Sequence, residues 1–198
     1  MATVDELWLE VLQRLCDATA HQFKGAMNGV AVNLEVVRSR SGRSDGDGAS
    51  LRPFAEAASA EMESVIRSAE AMLSLARTPR GPADIARIAR DVATLAGKGG
   101  TDGATRVTID KSVEQLSTST PPSAVRLAVG AVLLAAVEGS NDVVCVAVPD
   151  APLPTIRVSQ GGHDGSRFAL NDEVVAAAYS AGVHLDITKT GATITFPS

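Results

Sequence analysis

From residue 4 to about residue 40 an apolar stripe recurs at helical spacing, carried by Leu7, Val11, Leu12, Leu15, Val30, Leu34 and Val37. Residues three and four apart share one face of a helix, so the stretch predicts a single helix of about ten turns. A second stretch, from about residue 50 to 77, repeats the pattern with Ala57, Met62, Val65, Ile66, Ala69, Met72, Leu73 and Ala76. Pro53 suits its first turn. Residues 39–49 between them are polar and glycine-rich, without apolar period, and predict a turn. Two long helices on a short loop form an antiparallel hairpin, which cannot bury both apolar faces alone. Pairing with a second copy across a twofold axis predicts a homodimeric four-helix bundle.

TPRGP, residues 78–82, stops the second helix with two prolines around a glycine. It sets the boundary between a helical unit, 1–78, and a second unit, 83–198. There Ile85, Ile88, Val92 and Leu95 predict a helix over 84–96. Strands follow at 106–110 and 113–119, then an apolar helix led in by Pro121 and Pro122 and reaching Glu138. Further strands are expected at 142–148 and 155–159, a helix at 171–181, and strands at 183–188 and 192–196. This order predicts an α/β sandwich with helices on one face of the sheet. The loop at 97–103, GKGGTDG, lacks the Gly-Lys-Ser/Thr ending of a phosphate-binding P-loop.

Aromatic residues make up 3% of the chain, so its cores must be built from Ala, Val, Leu and Ile. The net charge of -5 argues against nucleic acid as the main partner. Cys16 and Cys145 lie far apart in apolar surroundings, as buried free thiols of a reducing compartment do. The start, MATVDELWLE, lacks the basic end and apolar core of a signal peptide. No apolar run was expected to reach the roughly 18 residues of a membrane span. A cytoplasmic protein with no membrane contact is expected.

One histidine interrupts the first helix. Arg14, Asp17, Ala18, Lys24, Gly25 and Asn28 surround His21 at helical spacing, a small and polar neighbourhood away from the apolar stripe. The helix is expected to present this imidazole to water. Imidazoles titrate near neutrality, and their neutral form is nucleophilic. Gly25 and Gly29 each cost about 1 kcal/mol relative to Ala inside a helix. They allow another surface to approach, either a docking partner or a packed neighbour. His163 and His184 show no metal-ligand spacing and are expected to be neutral or structural.

The run His21-Gln22-Phe23-Lys24-Gly25-Ala26-Met27-Asn28 resembles the phospho-acceptor box of sensor histidine kinases. Phe23, Lys24 and Met27 match its apolar, basic and Leu positions. Gln22 stands in place of the usual acid, and Ala26 in place of Pro. The second unit is similar to the GHKL ATP-binding domain of the same kinases. Ala131 and Ala135 occupy the two Asn positions of its N box, and Gln160-Gly161-Gly162-His163-Asp164-Gly165 lacks the adenine-reading Asp in front. The scaffold without the ATP motifs resembles the ChpT-like histidine phosphotransferases, dimers of a kinase-like hairpin and a degenerate ATPase-like domain.

That resemblance implies a phosphorelay carrier without ATP. His21 would take a phosphoryl group from the aspartate of a response-regulator receiver, or a hybrid kinase receiver, and pass it to another. Lys24 would lie near the moving group, with Asp17, Gln22, Gly25, Asn28 and Gly29 meeting the partner. No cofactor or metal is expected in the chain, since Mg²⁺ comes with the receiver. The competing readings are a non-catalytic dimeric scaffold or inhibitor that binds receivers or kinases, and an ATP-dependent kinase with eroded motifs.

Overall fold

The computed structural model describes residues 2–41, 48–77, 81–97, 106–161 and 168–197. Much of the two expected glycine-rich loops, the start of the expected boundary and His163 lie outside the described residues.

The first two helices are α1, Val4–Ser41, and α2, Gly48–Ala76. Thr3 and Glu6 begin α1 reciprocally: Thr3 N–H donates to Glu6 Oε2 at 2.8 Å, and Glu6 N–H donates to Thr3 Oγ1 at 3.2 Å. Next come α3, Ile85–Ala96, β1, Arg106–Ile109, and a 3-10 turn at Lys111–Gln115. After these lie α4, Pro122–Gly139, β2, Asp142–Ala147, and β3, Thr155–Gly161. The described chain closes with α5, Asp172–Ser180, β4, His184–Thr188, and β5, Gly191–Thr195. The fold is therefore mixed helix and sheet.

The five strands lie in the order β1-β2-β3-β5-β4, with β1 parallel to β2 and the other pairs antiparallel. Val143, Cys145, Ile156, Val158, Ala192 and Ile194 alternate onto the face that α3, α4 and α5 cover, and all are buried. The strand expected at 113–119 is not formed. Asp110 accepts a hydrogen bond from Ser112 N–H at 2.8 Å and starts a 3-10 turn that drops Val113 into the core. Of the expected strand only Thr118 pairs, in a bridge to Ala83.

The start of α1 and the end of α2 pack on the helices of the α/β unit rather than standing clear of it. Leu7, Trp8, Val11 and Leu15 of α1 and Ala71 and Leu75 of α2 belong to the same buried cluster as α3, α4 and the sheet. At Gly130, α4 and α1 come close: an added Cβ would sit 2.8 Å from the Trp8 ring. α4 thus lies between the sheet and α1. It corrects one sequence expectation: at 18 residues and mean hydropathy 1.4 it is long and apolar enough to cross a membrane. Because 72% of it is buried inside the protein, its apolar composition is that of a core helix.

Arg126 of α4 ties α2 to this unit, donating from Nη1 to Arg77 O at 2.8 Å and from Nη2 to Ser74 O at 3.1 Å. These carbonyls belong to the end of a helix, where no intrahelical partner exists. An exposed Arg14–Glu138 ion pair joins α1 to α4. Beside the junction, Asp91 is half-buried and its Oδ2 has no hydrogen-bond partner. Burial pushes its carboxyl pKa up, opposed by the Ser74 hydroxyl and by Arg87 and Arg90. A carboxyl raised in the folded state favours folding below its unfolded value, near pH 3.9, and loses that contribution as pH rises through the folded value. Asp91→Asn should therefore raise the melting temperature at pH 7. The gain should shrink towards pH 4 in thermal melts across that range; a gain independent of pH would show that Asp91 ionisation is not its source.

Candidate functional site

His21 lies in the middle of α1, past the half of the helix that packs on the α/β unit. Its side chain is exposed, and so are Arg14, Asp17, Ala18, Lys24, Gly25 and Asn28 around it. Helical spacing puts these residues on one face, and that face is open. Asp17 lies about one turn before His21 and Lys24 about one turn after it. An imidazole set among an acid, a cation and an amide can accept a group from outside and be held by neighbours.

Two of the expected partner residues make contacts within the fold. Gln22 is half-buried and donates from Nε2 to Gly97 O, just past α3, at 2.9 Å. Gly29 faces α2, where an added Cβ would meet Glu61 Cγ at 3.6 Å, an ordinary packing distance. Gly25 differs, since a Cβ there would meet nothing within 4 Å. Among the described residues nothing packs against it to account for its cost in helix stability. Gly25→Ala should stabilise the protein by about 0.5–1 kcal/mol in chemical denaturation. Unchanged or lower stability would reveal a constraint at this turn.

Val32, which lies outside the apolar stripe, joins the His21 side. It is 64% exposed. Eleven residues from His21, it falls about 20° from it around the helix, some 16 Å further along. The sequence signal for it is its place on the polar face, off the apolar stripe.

A second exposed surface lies on another side of the hairpin. Met27 and Leu34 of α1 are 47% and 52% exposed, and Met62, Ile66 and Leu73 of α2 are exposed as well. All but Met27 had been placed in the apolar stripes. At about 100° per residue, Met27 and Leu34 lie some 120–140° around α1 from His21. Antiparallel helices turn in opposite senses to a common viewer, so the exposed residues of α2 fall on the same side as Met27 and Leu34. With Gly29 opposite Glu61, Ile66 and Ala69 come at about the height of Lys24 and His21. The apolar side is thus level with the imidazole and turned away from it.

A cavity of about 680 Å³ lies elsewhere, at the junction of α2, α3 and α4, lined by Arg77, Arg87, Asp91 and Arg126 among others. The buried Oδ2 of Asp91 and Nε of Arg126 are closed off from solvent. In α4, Ala131 is buried and Ala135 half-buried, so methyl groups occupy these positions. Among the described residues no group of three or more His, Cys, Asp or Glu could hold a metal ion. Cys145 is buried, which pushes its thiol up to about 12, and Cys16 is half-buried and also raised by burial. Neither thiol is a ready nucleophile. No protein-family model matches the chain, and no curated protein matches it.

Proposed function

We propose that the protein is a phosphorelay histidine phosphotransferase of two-component signalling, a homodimer whose His21 carries the phosphoryl group. The observation that carries this reading is the open face around His21, on a helix whose other sides are occupied by α2, the α/β unit and an apolar surface fit for a second copy. The resemblance of the His21 box to the phospho-acceptor box gives that face its chemistry.

In this reading a receiver seats its aspartyl phosphate over His21. A neutral imidazole nitrogen attacks phosphorus in line as the bond to the aspartate oxygen breaks, giving phosphohistidine and free carboxylate. The reverse step loads the next receiver. Catalysis is then positioning and charge stabilisation, with Lys24 as the nearby cation and Mg²⁺ brought by the receiver. Asn28 and Asp17 are available to the partner, Gly25 lets its backbone approach, and Val32 offers an apolar contact further along.

The test is transfer. The protein is incubated with phosphorylated receivers, and an acid-labile label is sought on His21. In a parallel reaction, γ-labelled ATP without a receiver should leave His21 unlabelled. Label from ATP alone would favour an autokinase. Receiver binding without label would favour the scaffold.

A further inference from the structure

We infer that Gln22 is a positioning residue: its side-chain hydrogen bond to Gly97 holds the end of α3 beside the turn that carries His21. The statement about position stands on its own; its consequence for transfer rests on the phosphorelay reading.

The last carbonyls of a helix need partners from outside it. Past the end of α3, Gly97 N–H closes on Ala93 O at 2.9 Å. α1 supplies two further donors. The Thr19 hydroxyl lies 3.3 Å from Leu95 O but only 2.7 Å from Leu15 O, so its single proton serves mainly its own helix. Gln22 Nε2 reaches Gly97 O at 2.9 Å and makes the full-strength bond across the gap. Gln22 is half-buried, so water competes poorly for it.

This bond requires a donor at position 22. A carboxamide has one, whereas an ionised carboxylate has none and would face the carbonyl oxygen with its own. A protonated carboxylic acid can donate again. Glutamate at 22 should therefore hold α3 at acid pH and release it at neutral pH. Because residue 22 directly follows His21, a receiver seated over the imidazole would also rest against the end of α3. Losing the anchor should weaken that seating while leaving the imidazole's chemistry intact.

The test uses the full-length protein, with Gln22→Ala and Gln22→Glu compared with the parent. Backbone hydrogen exchange is followed over residues 93–97 from pH 4 to pH 8, as protection relative to intrinsic rates. Gln22→Ala should lose protection by roughly twofold to tenfold at every pH, the range of one net hydrogen bond. Gln22→Glu should lose about tenfold or more at pH 7 and recover near pH 4, where a glutamate of ordinary pKa near 4.3 is protonated. His21 and Lys24 on α1, Glu61 and Arg67 on α2, and Asp91 on α3 are common to all three proteins, so the difference isolates residue 22. Parent-like protection in Gln22→Glu at pH 7, or a loss that does not reverse at pH 4, would overturn the assignment.

Transfer kinetics supply a readout that a merely structural role would not move. Gln22→Ala should raise the receiver concentration for half-maximal transfer several-fold and keep the rate at saturation. An unchanged half-saturation point, with protection lost, would reduce Gln22 to a structural contact. If the parent accepts no phosphoryl group from any receiver, the phosphorelay reading falls, while the exchange profile still decides whether Gln22 holds α3.

Discussion

His21→Ala is expected to abolish phosphoryl acceptance while leaving a folded dimer. The imidazole is exposed, and truncating an exposed side chain of this kind changes stability by no more than about 0.5 kcal/mol. Nothing nearby replaces it: a carboxamide at Gln22 and an ammonium at Lys24 are not reversible phosphoryl carriers at neutral pH. The loss should therefore be complete rather than partial. Lys24→Ala should slow transfer without stopping it, because a cation near the moving group acts through charge. Circular dichroism and sedimentation should match the parent in both variants. Label retained by His21→Ala, at any level above background, would move the acceptor elsewhere and leave the scaffold reading in its place.

The second large effect is on assembly. Ile66→Glu should convert a dimer into a folded monomer. Ile66 is 49% exposed in the single chain and sits within the apolar side formed by Met27, Leu34, Met62 and Leu73. In a twofold interface every substitution occurs twice, so two carboxylates would lose water on association. Sedimentation equilibrium at micromolar concentration should give twice the 20.4 kDa chain mass for the parent and the chain mass for the variant. Val32→Glu is the matched control. It puts the same charge on an apolar residue of the His21 side and should leave the dimer intact. A parent that sediments as a monomer, or a Val32→Glu that dissociates with Ile66→Glu, would remove the four-helix bundle from the proposal.

Much of this architecture can be read directly from residue spacing. The long first helix ends within one residue of its expected limit, because the apolar period and the glycine-rich polar run both act locally. The face around His21 is open for the same reason, since helical spacing alone decides which side chains cluster. Local pattern failed where distant partners decide. Residues 113–119 hold Val113, Leu116 and Thr118 among polar residues, a pattern too weak to decide a strand; Asp110 turns the chain, and of them only Thr118 pairs, with the distant Ala83. Leu34, Met62, Ile66 and Leu73 were assigned to stripes without any indication of which would meet the same chain and which would remain exposed. Gln22 is legible in the sequence only as the residue in the acidic position of the box, because its partner at Gly97 lies 75 residues away.

The packing of α1 on α4 also sets an order of events during synthesis. The Arg14–Glu138 pair joins residues 124 apart, and Trp8 waits for Gly130 at a similar separation. At about 5–20 residues per second, a ribosome needs on the order of ten seconds to make the distance between them. For that time Leu7, Trp8, Val11 and Leu15 leave the ribosome with no α4 to cover them. The hairpin can close early, but its lower half cannot be finished until α4 has emerged. The nascent chain therefore carries an apolar, aggregation-prone segment until α4 follows it.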